Sequence, residues 1–380
     1  MKILRVVSDL YPAVVGGIGI HAHQMSSGQA RLGNEVMVFT ISPDRFPKVG
    51  SADGYTVERF PVYFRLCGNS FAPGLIREIL RVRKNFDIIH AHSHLFFSTN
   101  ICVFARLLRS APLIVTNHGL ISASAPPWLN TLYTKTVSKA TFRIADRIIC
   151  YTDIERDNIV KLGINPDKIS VIHNGVDTVL FSPKRTAKNP DRKQILWVGR
   201  YVPGKGLEYL VEAFSRVRER IPSAHLVLVG DGPEKQKIGD LIQKSGLSGS
   251  VTRIDHLDNS DLPRLYNKSD AFVLPSLMEG VPRTLLEAMA CGIPAVITDL
   301  PHLRKIVDGA GLQVPVKDSH RLSEAILSIL NDTDLAERMG RAGRSRIERD
   351  YSWEDTVKKT LAVYDQVIAD HNQTGKLPGG

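Results

Sequence analysis

The stretch ILWVGRYVPGKGLEYLVEAF, residues 195–214, changes period halfway along. Its first four residues are all apolar, as a strand buried on both faces requires. Gly199 opens a short loop that holds Arg200, Lys205 and Gly206. From Leu207 the apolar residues return at three- and four-residue spacing (Leu210, Val211, Phe214), which predicts a helix over Leu207–Arg220. Strand, glycine loop, helix is the opening unit of a parallel α/β sheet.

The start of the chain has the same form. Ile3–Ser8 reads as a buried strand, Gly16–Gly19 as a glycine-rich turn, and a helix follows to about Leu32, stopped by Gly33. Glu35–Thr40 is the next strand, with others at Asp87–His92, Leu113–Asn117, Arg147–Tyr151 and Ile169–His173. In the second half, Gln194–Val198, His225–Gly230, Ala271–Pro275 and Ala295–Thr298 read as strands separated by helices. SPKRTAKNPDRK, residues 182–193, is polar, basic and holds two prolines, so it reads as a linker. The expected organisation is a first α/β domain over 1–180, a linker over 181–193 and a second α/β domain over 194–352. A helix over 353–370 and a disordered tail over 371–380 follow. Doubly wound sheets bind ligands at the carboxyl ends of their strands, so two facing domains predict a site in the cleft between them.

Composition narrows the function classes. Hydrophobic residues make up 43% and charged residues 23% of 380 residues, ordinary for a soluble globular chain of two domains. No apolar run reaches the ~18 residues of a spanning helix. The start, MKILRVVSDLYPAV, is too short an apolar run for a signal peptide and is broken by Asp9. Cys67, Cys102, Cys150 and Cys291 lie far apart without metal-ligand spacing, as reduced thiols of a cytoplasmic protein do. The net charge is +10, of which residues 1–180 carry +7 (20 Lys/Arg against 13 Asp/Glu). A basic half attracts nucleic acid, anionic membranes or phosphorylated substrates. No Lys/Arg-rich block is interleaved with aromatics, which disfavours nucleic acid.

Chemistry concentrates in LPSLMEGVPRTLLEAMACGIP, residues 274–294. A strand ends at Pro275, a loop carries Glu279 and Gly280, and a helix is expected from near Pro282 to Cys291, stopped by Gly292. The amides at a helix start suit an anion such as a pyrophosphate. Glu279 before that helix and Glu287 on its second turn suit hydroxyl groups instead, of a sugar and of a ribose. Arg200 and Lys205, at another strand end beside a helix start, are placed to neutralise a diphosphate without a metal. The loop lacks the Gly-x-x-x-x-Gly-Lys-Ser/Thr order of a Walker loop.

Arg200 with Lys205, Gly230-Asp231-Gly232, and Glu279 with Glu287 together resemble the retaining glycosyltransferases of family four, of the GT-B fold. Gly16-Gly17, Asp87–His92, Thr116-Asn117-His118-Gly119, Asn174-Gly175-Val176-Asp177 and YSWEDTVKKTLAVYDQVI extend the resemblance over roughly residues 3–370. The resemblance implies two Rossmann-like domains facing a cleft. The first is the acceptor side, the second binds a nucleotide sugar (UDP- or GDP-linked), and the last helix crosses back to the first. It implies that Arg200 and Lys205 hold the donor diphosphate and that Glu287 binds the ribose. Glu279 contacts the donor sugar, with Gly280, Val281 and Leu285 alongside. His118 sits beside the sugar from the first domain, and Gly17 allows the first loop close to the phosphates. It further implies retention of configuration, no cofactor, no metal, and a glycan or lipid acceptor hydroxyl. The chain departs from the family at Val251–Asp255, near the base, and at Pro301, His302 and Lys305, where Gly-Gly and a glutamate are usual.

Other features have weaker readings. The alternation of His90, His92 and His94, and of His21 and His23, is a pattern that can ligate zinc. Asp332-Thr333-Asp334 matches a metal motif but opens a helix, where acids cap the N-terminus. Gly16-Gly17-Ile18-Gly19 lacks the dinucleotide order of a nicotinamide enzyme. WLNTLYTKTVSKATFRIADRII, residues 128–149, mixes aromatic and basic residues. That suits peripheral contact with the inner membrane face and a lipid acceptor, and equally an ordinary half-buried helix. Two rival functions are a sugar-nucleotide epimerase, which needs an acid pair in the first domain, and a non-catalytic nucleotide-sugar binder.

Overall fold

The computed structural model describes residues 1–12, 17–41, 48–66, 69–108, 111–119, 126–184 and 191–374. Gly16, Cys67, residues 185–190 of the expected linker and residues 375–380 of the expected tail lie outside the described residues. The chain forms two compact units, Met1–Gly175 with Trp353–Gly380, and Val176–Ser352.

The first unit runs β1 (Lys2–Val7), α1 (Gly17–Arg31), β2 (Glu35–Ile41), β3 (Val49–Ala52), β4 (Tyr55–Phe60), β5 (Phe64–Leu66), β6 (Asn69–Phe71) and α2 (Pro73–Val82). It continues with β7 (Ile88–His92), α3 (Phe97–Leu107), β8 (Leu113–Thr116), α4 (Pro127–Tyr133), α5 (Lys139–Ile144), β9 (Arg147–Cys150), α6 (Asp153–Lys161) and β10 (Ile169–Val171). Its sheet order is β10-β9-β8-β7-β1-β2-β4-β3, parallel except for β3. β5 and β6 pair separately as a hairpin. Successive strand residues feed opposite cores. Leu4, Val6, Ile89, Ala91 and Val115 pack on one face, and Ile3, Val7, Val38, Ile88 and Ile114 on the other.

The second unit runs β11 (Gln194–Val198), α7 (Leu207–Arg220), β12 (His225–Val229), α8 (Lys235–Lys244), β13 (Val251–Ile254), α9 (Leu262–Lys268) and β14 (Ala271–Leu274). Then come α10 (Arg283–Ala290), β15 (Ala295–Thr298), α11 (Arg304–Val307), β16 (Gly311–Val314), α12 (Ser319–Asn331) and α13 (Thr333–Asp350). Its six strands are all parallel, in the order β13-β12-β11-β14-β15-β16. The chain then returns to the first unit as α14 (Trp353–Thr374), which packs on α1.

In both sheets the strand order reverses at a defined place. In the first unit β1 lies between β2 and β7; in the second β11 lies between β12 and β14. The loops leaving such a pair diverge to opposite faces and leave a crevice at the carboxyl ends. Both units are therefore Rossmann-like.

Several expectations need correction. Gly17 is the first residue of α1, not part of a turn. The buried set Ala22, Met25 and Gln29 keeps helical register with Gly19, which is itself buried inside α1. The first residue of the expected linker, Phe181, is buried in the core of the second unit. Residues 371–374 of the expected tail continue α14, where His371 meets the Arg106 guanidinium at 3.4 Å. As the sequence indicated, the Asp-Thr-Asp motif is a cap: Asp332 accepts the Leu335 amide at 2.8 Å as the N-cap of α13. Cys102, Cys150 and Cys291 are buried free thiols. No described helix is long and apolar enough to cross a membrane.

Candidate active site

The crevice of the second unit forms where β11 and β14 end. Gly206, at the start of α7, has φ +66, and a Cβ there would lie 2.0 Å from the Pro275 carbonyl oxygen. The Leu277 amide donates to the Gly204 carbonyl at 2.8 Å. The two loops are thus in backbone contact, and only glycine permits it. The loop after β12 joins them. Gly230 has φ +132, and a Cβ there would lie 1.8 Å from the Gly199 oxygen, while the Tyr201 amide donates to Asp231 at 3.0 Å.

That framework brings Lys205 and Glu279 together, 74 residues apart in sequence. Lys205 Nζ lies 2.5 Å from Glu279 Oε1, and Ser276 Oγ donates to the same oxygen at 2.7 Å. Ser276 is fully buried, and its carbonyl accepts from Thr298 Oγ1. The pair keeps contact with solvent, with side-chain exposures of 25% for Lys205 and 11% for Glu279. Arg200 is exposed on the same loop as Lys205, and its side chain has no ion pair or hydrogen bond among the described residues. An unpaired cation beside a strand end and a helix start is suited to an anion.

Pro282 caps α10 without a side-chain bond, and the first turn of α10 carries no acid. Gly280 is exposed, and its carbonyl lies 2.9 Å from His302 Nε2, which anchors the loop from behind. Val281 is partly buried against the core. Leu285 is fully buried in that core, and its amide donates to Pro282 at 3.1 Å. Glu287 is 3% exposed. Its carboxylate accepts from Tyr266 Oη at 3.1 Å and Arg283 Nη2 at 3.3 Å. Burial raises its pKa, and Arg283 and the Tyr266 hydrogen bond work against that rise. Two carboxylate oxygens offer about four acceptor positions, so two bonds leave room for a diol.

The crevice of the first unit holds His118 just beyond β8. His92 Nδ1 lies 3.1 Å from His118 Nε2, and Tyr151 Oη lies 3.1 Å from His118 Nδ1. The His21 ring, from α1, meets His118 edge-on at 5.4 Å. Burial, then His21 and His94, hold the His118 pKa well below the usual imidazole value. Among the described residues the alternating histidines form no group of three or more His, Cys, Asp or Glu that could hold a metal. Two of them, His90 and His92, flank a residue that the sequence pattern does not mark, Arg5 of β1, whose side chain is fully buried. Strand register sets Arg5 opposite His90, and period two puts His90 and His92 on one face.

Arg5, His118 and Gly17 belong to the first unit, and Arg200, Lys205, Glu279, Gly280, Val281, Leu285 and Glu287 to the second. Ser276, Tyr266, Arg283 and His302 complete the second-unit site. Ser276 and Arg283 stand three or four residues from the glutamates they touch, a spacing visible in sequence. Tyr266 and His302 are joined to the site only by the fold.

Residues 180–346 match the family model described as Glycosyl transferases group 1, and residues 15–180 match that of Glycosyltransferase Family 4. A glycogen synthase of Mycobacterium tuberculosis is 27% identical over 96% of this chain and 94% of its own. Sucrose-phosphate synthase from Thermosynechococcus elongatus superposes with a TM-score of 0.81 at 24% identity, over 97% of this chain and 99% of that one. Anabaena HepE, solved in complex with UDP, superposes with a TM-score of 0.76 at 18% identity, over 96% of this chain and 100% of that one. Both structures share the two-unit GT-B fold, and the two family models, which together span residues 15–346, identify the chain as a member of the group 1 glycosyltransferases, of the family-four type.

Proposed function

We propose that the chain moves a sugar from a nucleoside-diphosphate sugar, UDP- or GDP-linked, to an acceptor hydroxyl, with retention of configuration and without a metal. The observation that carries this reading is the Lys205–Glu279 pair beside the unpaired Arg200, at the crevice between β11 and β14. A diphosphate entering there competes with Glu279 for Lys205. Lys205 and Arg200 then stabilise the negative charge that grows on the leaving group, the task a metal performs elsewhere. Glu279, released from Lys205, is free to accept sugar hydroxyls, and Glu287 to accept the ribose diol. The UDP seen in the Anabaena protein supports a nucleotide ligand of this kind. A leaving-group oxygen takes the acceptor proton, and attack on the face it vacates retains configuration.

Isothermal calorimetry with a panel of nucleoside diphosphates and their sugars tests the donor assignment. Losing a charged hydrogen-bond partner costs ~1.5–3 kcal/mol, so Glu287→Ala is expected to weaken nucleotide binding roughly 10- to 150-fold. Unchanged affinity would remove Glu287 from the ribose. Product anomers read by NMR test retention, and full activity in excess chelator tests metal independence. We also propose a lipid-borne acceptor and peripheral membrane contact by the first unit. Exposed Trp128, Leu132 and Val137 beside Lys135 support that contact. Co-sedimentation with anionic vesicles, compared with a Trp128→Ser, Leu132→Ser variant, tests it.

A further inference from the structure

Arg5 is a cation inside a sheet, and no carboxylate pairs with it among the described residues. Its partners are neutral. Nη1 donates to Ser26 Oγ at 2.7 Å, Nη2 to Gln29 Oε1 at 2.9 Å and Tyr364 Oη at 3.2 Å, and Nε to His92 Nε2 at 3.1 Å. A guanidinium has only donors, so each partner must present a lone pair.

That requirement runs outward from ring to ring. His92 Nε2 must be unprotonated, which puts the His92 proton on Nδ1. His92 Nδ1 faces His118 Nε2 at 3.1 Å, so His118 Nε2 must carry the lone pair. The His118 proton then sits on Nδ1, towards the Tyr151 hydroxyl at 3.1 Å. A second proton on either ring would set two N–H groups against each other.

We infer that Arg5 is a positioning residue for His118, acting through His92 to dictate which ring nitrogen carries the proton and to keep the ring neutral. His118 then serves the reaction as a neutral hydrogen-bonding group and not as an acid that gains and loses a proton. This inference rests on the reading of His118 as a group at the sugar-transfer site. The other titratable or charged groups around His118 are His21 of α1, His94 after β7, Tyr151 after β9 and, behind Tyr151, Glu155 of α6. His21 and His94 add to the penalty on a second proton. Glu155 accepts the Tyr151 amide at 2.8 Å and so acts on His118 at one remove.

Long-range proton–nitrogen NMR of the full chain, with His92 and His118 assigned by substitution, reads the tautomers directly. The expected result is an Nδ1–H form of both rings with no titration between about pH 7.5 and 5.5. In Arg5→Met the His118 ring is expected to mix the Nδ1–H and Nε2–H tautomers, while burial, His21 and His94 still hold its pKa below the usual imidazole value. kcat/KM is expected to fall as the single tautomer is lost, and Arg5→Lys, which keeps a donor, restores the wild-type pattern. If Arg5→Met does not fold, His92→Gln and His92→Leu replace it. Glutamine accepts from Arg5 and donates to His118, so it preserves the His118 tautomer, and leucine does not. A wild-type His118 protonated on Nε2, or titrating near 6.5, overturns the inference. If His118→Ala leaves kcat unchanged while the tautomers are as stated, the role of His118 fails and the proton ordering by Arg5 stands.

Discussion

Gly206 tolerates no side chain, for two separate reasons. Its φ of +66 costs an L-residue about 1–2 kcal/mol, and the added Cβ would lie 2.0 Å from a backbone oxygen that cannot rotate away. Gly206→Ala is therefore expected to push the Lys205 loop off the end of β14. A melting curve should show a lower Tm, and calorimetry should show nucleotide binding lost with it. A variant that binds nucleotide normally would contradict the backbone contact. Lys205, Glu279 and the glycine between strand and helix were readable in sequence because each lies within a few residues of a strand end. Arg5 was not. A lone arginine in an apolar strand carries no sign of where it points, and its meaning appears only when register sets it beside His90. The histidine alternation was visible, but the cation that His90 and His92 flank was not.

At the scale of elements, the strands easiest to read were those buried on both faces, such as Ile88–His92 and Ile195–Val198. β3 and β4 were harder, since β3, at the sheet edge, buries no residue and β4 beside it breaks its apolar run with Thr56, Glu58 and Arg59. The Asp53-Gly54 turn between them has positive φ at both residues, as a tight hairpin requires. β13 and β16, with intermediate and exposed residues, are sheet-edge strands of the same kind. Helix α13 is anchored in part by Arg344. Arg344 donates to the carbonyls of Phe181 and Ala290, each at 2.8 Å, and of Thr178 at 3.1 Å, and pairs with Glu348. These bonds join α13 to the end of α10 and to the segment entering the second unit. Arg344→Met is expected to cost about 2–3 kcal/mol, since bonds to a charged donor are each worth ~1.5–3 kcal/mol and several carbonyls lose a partner. Hydrogen exchange should show faster opening of α10 and α13 while β1 and β7 keep their protection.

The whole molecule should respond to acid in a defined direction. Burial, then His90 and Arg5, push the His92 pKa well below 6.5. The unfolded chain therefore binds a proton on His92 at pH values where the folded chain does not. Stability from this group is present above about pH 6.5 and is lost as pH falls towards the folded value, at up to ~1.4 kcal/mol per pH unit. Glu155 and Glu287 have raised pKa values from burial and act in the opposite sense, losing stability as pH rises from 4.5. They are common to wild type and His92→Gln, so the difference between the two proteins isolates the histidine. Urea midpoints at pH 7.5 and 5.5 should fall less in the variant than in wild type.

The first unit is assembled from two pieces of chain, Met1–Gly175 and Trp353–Gly380, with the whole of Val176–Ser352 between them. On a ribosome adding ~5–20 residues per second, those 177 residues delay the second piece by about 9–35 s. Tyr364, which completes the shell around Arg5, emerges only after the whole of the second unit. The second unit is contiguous and has all its strands in hand well before that. Nascent chains therefore carry a finished second unit while the first still waits for its closing helix. During that interval the face of α1 that packs on α14 is open to chaperones, which gives the last helix the part of a timer on maturation.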